Sequence, residues 1–507
     1  MLLAFLASLI SLGLGQANSL VDWAVAGTPQ SYTPYSTPYT GAEQWYCSRS
    51  AGSDGSCNVS GIINSTPFGN SQFTTNQGLS IGITGLDASG ANDNATIIQN
   101  ALTAIASGGG SIHLPCGQFK VLSSFSLSYT GHIDFSGSGA CTRLYFQGAT
   151  QGITFTWGSG TANLHMHDME IVTNDTGGSY TALTLINHFG TFGVAPDATQ
   201  GNMLENLWFY GNDRTTGSGS MYWGQAIIET NISALTLLNV NITGIGSGAT
   251  YHGNGVSLNG YNAGTNYSVV INFVSVNMYR VSQGVFYGDY VQGVTATALN
   301  ITNCGTGIET VASPAGILSE LDVVNSQFGA CNIGYHTSSS GNAMQTNFVA
   351  NTFIISAANE IAMQPGGTGL VLLGNTFESS SASSTSAIDL SVAAASGLIG
   401  ENFMTGFENG VKFGNLSSFV RLNYNVNTGN TKNYNTSGIS SLGGYIINDD
   451  IGYTFATLPT CTNFLLGSRF LVTDMTAPTY NGAITNGGSV RGLAVCTFNG
   501  SAGYRSM

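Results

Sequence analysis

From Gly85 to Arg143 the chain reads GLDASGANDNATIIQNALTAIASGGGSIHLPCGQFKVLSSFSLSYTGHIDFSGSGACTR, and this stretch decides the fold. Ile97, Ile98, Ala101, Leu102 and Ile105 recur at helical spacing, with Asp93 placed as N-cap, Thr96 in the first turn and Gly108 where a helix stops. One short amphipathic helix is therefore expected. After the glycines Gly108 to Gly110 the pattern switches to alternation through Ile112 and Leu114. It resumes at Phe119 and Val121 once the Pro115 to Gly117 turn is passed. A one-sided helix directly before a long run of short strands suits a lid over the open end of a strand stack, whose backbone groups would otherwise face solvent unpaired.

The order of Gly85 and Asp87, then Asp93, Thr96 and Gln99, then GGG, LPCG and Phe119, then Gly137, Gly139 and Thr142 resembles the N-terminal signature of the pectate-lyase-like right-handed β-helix superfamily. Asn94 stands where that family often has a second Asp. The resemblance implies an all-β fold: a right-handed parallel β-helix with an N-terminal capping helix. The superfamily includes cell-wall lyases and hydrolases, exopolysaccharide enzymes and phage tailspikes, so the signature speaks for the fold and much less for a reaction.

Composition agrees with one elongated repeat array. The 507 residues carry only 7% charged side chains but 42% hydrophobic and 10% aromatic ones, enough for a core and against disorder. A net charge of −14 with lysine only at Lys120, Lys412 and Lys432 leaves no basic stripe, so no nucleic acid is expected as partner, and a polyanionic glycan is disfavoured. Residues 1–17, MLLAFLASLISLGLGQA, are apolar, too short to span a bilayer and end in small residues. They read as a signal peptide of a secreted protein, against a buried N-terminal helix that docks a virion protein into a tail. No membrane association is expected. Residues 18–79, with Tyr32, Pro34, Tyr35, Pro38 and Tyr39, read as an extended segment, 80–440 as the β-helix, and 441–507 as a strand-rich C-terminal module.

The cysteines fall as neighbours: Cys47 with Cys57, Cys116 with Cys141, Cys304 with Cys331, Cys461 with Cys496. None has CxxC spacing, so no zinc site is expected, and two separations are close to one β-helix coil. Disulfides formed in an oxidising compartment fit this better than buried free thiols.

Past the helix an apolar strand repeatedly reaches an Asn: Asn239, Asn277, Asn300, Asn325, Asn351, Asn375, Asn402 and Asn423. From Asn277 on, the steps are 23, 25, 26, 24, 27 and 21 residues, about one coil each. An Asn at one corner of every coil can donate and accept along the stack, so a structural ladder is expected. Earlier coils, aligned at Asp168, Asn206 and Asn239, step by 38 and 33 residues. Extra residues in a repeat leave as loops on one side, which places the functional groove between about Leu164 and Tyr290.

In LHMHDMEIV, Leu164, Met166, Met169 and Ile171 read as inward, leaving His165, His167, Asp168 and Glu170 outward; Glu205 and Trp208 follow on the next coil. Glycoside hydrolysis needs two carboxyls, about 5 to 9.5 Å apart, and coils about 4.8 Å apart can supply them. The catalytic pool is Asp168, Glu170, Glu205 and Asp213. Trp208, Arg214, Tyr222, Trp223, His252 and Asp289 are the candidate substrate-binding residues. His165 and His167 with Asp168 offer part of a metal shell, but no distant partner is evident in the sequence, so no metal or cofactor is expected, with calcium entering only for a lyase. Arg214 and Arg280 are the only basic residues of the groove region, which ranks elimination below hydrolysis.

The expectation is a polysaccharide depolymerase working by carboxylate acid/base hydrolysis, secreted or carried on a virion tail. The alternatives are a non-catalytic glycan-binding tailspike or adhesin, and a polysaccharide lyase. The resemblance leaves monomer and homotrimer both open.

Overall fold

The computed structural model describes residues 44–45, 57–58, 72–75, 78–148, 151–157, 162–187, 201–213, 219–247, 250–260, 268–311, 319–338, 344–414, 419–438, 444–453, 458, 461, 469–476, 483, 488, 490–498 and 502–506. Arg214, Cys47 and the expected signal peptide lie outside these residues.

The fold is the expected right-handed parallel β-helix. Each coil contributes a strand to three parallel sheets, and neighbours in a sheet are successive coils, not successive strands. In the first sheet His132–Ser136 pairs with the start of Asn163–Thr173, which pairs with the start of Asn202–Gly211, then Ser233–Leu238 and Ser268–Val274. Alternation within each strand builds continuous inward columns. One runs Met166, Leu204, Leu237, Phe273, Ala296, Val323, Phe348 and Leu372, all buried. In the second sheet Phe328, Phe353 and Phe377 stack with centroids 4.8 and 5.0 Å apart, the coil repeat itself. Each fully buried Leu or Phe contributes about 1.5–3 kcal/mol.

The helix spans Ala95–Ile105 and buries Ile98, Ala101, Leu102 and Ile105. Its backbone N-cap is Asn94, one residue later than expected, yet the Asp93 carboxylate still accepts from Ala95 N at 3.0 Å. Asn94 is buried and its amide is engaged elsewhere, on Asp87 and the Asn92 carbonyl. The chain leaves the helix through Gly109 at φ +75, where a Cβ would lie 2.6 Å from the His132 carbonyl oxygen.

The first and second sheets meet at a tight corner, through which the strand runs on at Asp168 and Asn206 and where two residues separate the strands in the later coils. Its first residue is left-handed in ten successive coils: Asp168, Asn206, Asn239, Ser275, Ala298, Asn325, Ala350, Gly374, Glu401 and Tyr424. The eight expected asparagines all gather here, but in adjacent columns instead of one. Asn239 and Asn325 occupy the left-handed position, and Asn351, Asn375 and Asn402 the buried position after it. Asn277 and Asn300 begin the outer face of the second sheet, and Asn423 ends a strand of the first. The buried ladder continues to Asn425, not Asn423: Asn351, Asn375 and Asn402 each donate Nδ2 to the Oδ1 of the next at 2.9–3.0 Å. Strand pattern alone does not distinguish a corner residue from its neighbour, which is why the columns merged in the sequence.

Cys116–Cys141, Cys304–Cys331 and Cys461–Cys496 are disulfides, and Cys304 and Cys331 are direct neighbours on adjacent coils. The Cys47–Cys57 pairing falls outside the described residues. At the C-terminal end Arg469–Met475, Val490–Phe498 and Ala502–Ser506 form the expected small antiparallel sheet. Nearer the N-terminus, Gln44–Trp45 pairs antiparallel with Cys57–Asn58. Among the described residues no helix is long and apolar enough to cross a membrane.

Candidate functional site

The first sheet carries an ionisable cluster on its outer face, assembled by register. Leu164 and Met166 point inward, so His165 and His167 point out, and pairing sets Asp134 beside His165, and Ser136 and Glu205 on either side of His167. Asp168 follows in the left-handed corner at φ +58, which turns its side chain outward next to His167 instead of inward with the alternation. Gly137 makes room for this corner, since a Cβ there would lie 2.5 Å from the Asp168 carbonyl oxygen.

The two imidazoles stack at 4.2 Å and 24°. His165 presents Nε2 to Glu205 Oε2 at 3.2 Å and Nδ1 to Asp134 Oδ2 at 3.7 Å. His167 presents Nδ1 to Asp168 Oδ2 at 2.7 Å and Nε2 to Asp134 Oδ1 at 3.5 Å. Asn206 donates to Asp168 Oδ1 at 2.9 Å, and Asn239 in turn to Asn206 at 2.7 Å. His132 meets Asn163, and His113 meets Ser136 and Ser138, extending the polar face toward the helix.

Asp134 in front and Asp168 behind push the His167 imidazole up to about 9, against the opposing effect of its partial burial, so it carries a proton at neutral pH when nothing else occupies the cluster. Burial works against ionisation of Asp134 and Asp168, but His167 outweighs it at both, helped by Asn206 at Asp168, and both carboxyls sit below their usual value.

Of the expected catalytic pool, Asp168 and Glu205 belong to this cluster, while Glu170 and Asp213 do not. Glu170 lies round the corner on the second sheet, where alternation does aim it outward, but it is buried. Arg143 Nε donates to it at 3.0 Å, and the Tyr210 hydroxyl also donates to it. Tyr145, Val172 and Tyr210 are likewise buried on that outer face, with Trp208 packed against them. Asp213 organises its own loop, accepting from Ser220 N at 2.6 Å and Met221 N at 3.2 Å.

Trp223, read as a sugar-facing ring, is in the core: it packs on Phe146 and donates Nε1–H to the Ile171 carbonyl at 3.1 Å. Tyr222 is partly exposed with its ring 5.6 Å from that of the exposed His252, beyond the second sheet, and Asp289 is exposed at the far end of the third. None of these joins the cluster.

Sequence reading passed over two acids. Asp134 was legible as the outward residue between Ile133 and Phe135, one coil before His165, had the alignment of coils begun at His132. Glu229 is inward, in register between Leu185 and Leu258, and completely buried. Burial pushes its carboxyl up to about 8, in spite of hydrogen bonds from Ser268 Oγ, Ile232 N and Asn259 N.

No family model and no curated protein matches the sequence. Among solved structures, a tailspike of an Acinetobacter phage aligns over 85% of this chain and 76% of its own, at 10% identity and a TM-score of 0.44. The N-terminal fragment of gene product 12 of bacteriophage Phi29 aligns over 74% and 68%, at 14% identity and 0.45. The A-module of a mannuronan C-5 epimerase from Azotobacter vinelandii aligns over 72% and 98%, at 14% identity and 0.38. At such identities a likeness concerns architecture only, and the chain's own strand pairing is that of a parallel β-helix.

Proposed function

We propose that the protein is an extracellular polysaccharide depolymerase, free or virion-borne, that binds its glycan along the first sheet and hydrolyses a glycosidic bond at the Asp134, His165, His167, Asp168 and Glu205 cluster. The observation that carries the reading is the convergence of three carboxylates and two imidazoles, from three successive coils, on one open face. Hydrolysis at an acetal carbon needs an acid that gives a proton to the leaving oxygen and a carboxylate that takes one from the attacking water, so several ionisable groups must stand together. Glu205 fits the second role: His165 fixes one of its oxygens, and the side chain stays 29% exposed. Asp168 serves as a positioning residue, since His167 and Asn206 hold both its oxygens. An uncharged or weakly charged glycan suits a surface of net charge −14. The disulfides support an oxidising compartment.

The test is release of reducing ends from a panel of bacterial and plant polysaccharides. Glu205→Gln is expected to lower the rate by about 10²–10⁴-fold with unchanged circular dichroism, and Asp213→Asn to leave it intact. Glycan binding without release, in the native chain, would favour a binding-only spike, and unsaturated uronate absorbance would show a lyase.

A further inference from the structure

We infer that Asp134, His165 and His167 form a binding site for one divalent transition-metal cation of the zinc type, with Asp168 and Glu205 as outer carboxylates that orient the two imidazoles. The inference concerns the site of the proposed hydrolysis and adds a cofactor to it, where the sequence led to the expectation of none.

The distances divide into two sets. The outer contacts, His167 to Asp168 at 2.7 Å and His165 to Glu205 at 3.2 Å, are hydrogen bonds. The inner ones, from His165 Nδ1 and His167 Nε2 to the two oxygens of Asp134, are 3.7 and 3.5 Å, too long for good hydrogen bonds. They are close to the edge of a coordination tetrahedron, about 3.3–3.6 Å for metal–ligand bonds of about 2.0–2.2 Å, one within that range and one just above it, and each runs to a different oxygen of Asp134. The three ligand atoms all lie within 4.8 Å of one another, and rotation of the rings and of the Asp134 carboxylate would draw them in around a shared cation.

The outer carboxylates provide the second observation. Metal-bound histidines as a rule donate their other ring N–H to a carboxylate or carbonyl, which fixes the tautomer and raises ligand basicity. Here both do, His165 to Glu205 and His167 to Asp168. Two imidazoles favour zinc, nickel or copper over calcium or magnesium, and three protein ligands leave a fourth position for water, the pattern of a catalytic rather than a structural site. The partner that the sequence did not show for His165 and His167 is Asp134, from the preceding coil. Asp168, the neighbour first associated with them, stands behind His167 instead of on the metal.

Isothermal titration of the chelator-treated full chain with zinc, without any glycan, is expected to show one site per chain, with calcium failing to compete. A His165→Gln/His167→Gln variant is expected to lose at least 100-fold in affinity. Asp168→Asn should lose about 10–100-fold and shift the visible absorption of the cobalt(II)-loaded protein, a change that a purely structural role would not produce. Thermal melts of each metal-free variant separate misfolding from ligand loss. No zinc bound by the native chain, or equal binding by the double variant, overturns the inference. Zinc binding without glycan cleavage overturns the hydrolase reading alone, and cleavage by a chain that binds no zinc overturns the cation alone.

Discussion

Glu229 stands where the strand pattern calls for an aliphatic side chain, and its surroundings have a consequence for pH. A carboxyl in such a site is held protonated, because three hydrogen bonds do not make up for the lost water. Its proton affinity is higher folded than unfolded, so the folded state binds more protons over the interval between the two values. Stability from this group is complete below about pH 4.5 and falls as pH rises toward about 8. Glu229→Gln, which keeps an acceptor for Ser268 and Ile232, is expected to flatten that decline in urea titrations at pH 5, 6.5 and 8; an unchanged slope would count against the assignment. Single acids of this kind were poorly legible in the sequence. Asp134 and Glu229 each sit in a strand whose alternation gives the direction of the side chain, but partners 30 to 39 residues away, His165 and His167 for the one and Asn259 and Ser268 for the other, appear only once the register is known.

At the scale of the coil, hydrogen bonding at the corner is shared from one turn to the next. Asn375 accepts from Asn351 N and Nδ2 and donates to Asn402 and to the Phe348 carbonyl, all of it buried. Asn375→Ala strands the donors of Asn351 and is expected to cost about 1–3 kcal/mol in denaturant unfolding. Combined with Asn402→Ala, the loss should be less than additive, because the second change removes a partner already missing. The recurrence of Asn was the part of the fold most plainly written in the chain, along with the helix, since both depend on local spacing. Which column each Asn enters was not, because a shift of one residue at a left-handed corner leaves the composition of the repeat unchanged.

For the whole stack, each coil touches only its neighbours, so damage stays local. Replacing Cys304 and Cys331 by Ala opens a 27-residue loop, whose closure contributes up to about 3.5 kcal/mol in the chain-entropy estimate. Hydrogen exchange should then accelerate in strands Asn300–Thr310 and Gln327–Thr337 while amides around His165 and Glu205 keep their protection. Acceleration spread evenly from end to end would contradict nearest-neighbour stability. The single-residue edge at Asp168 has a last implication, for descent. Such an edge tolerates no insertion without losing its left-handed turn. A lineage of these chains can therefore gain or lose residues elsewhere around the coil, generation after generation, and still inherit the same side chains at this edge.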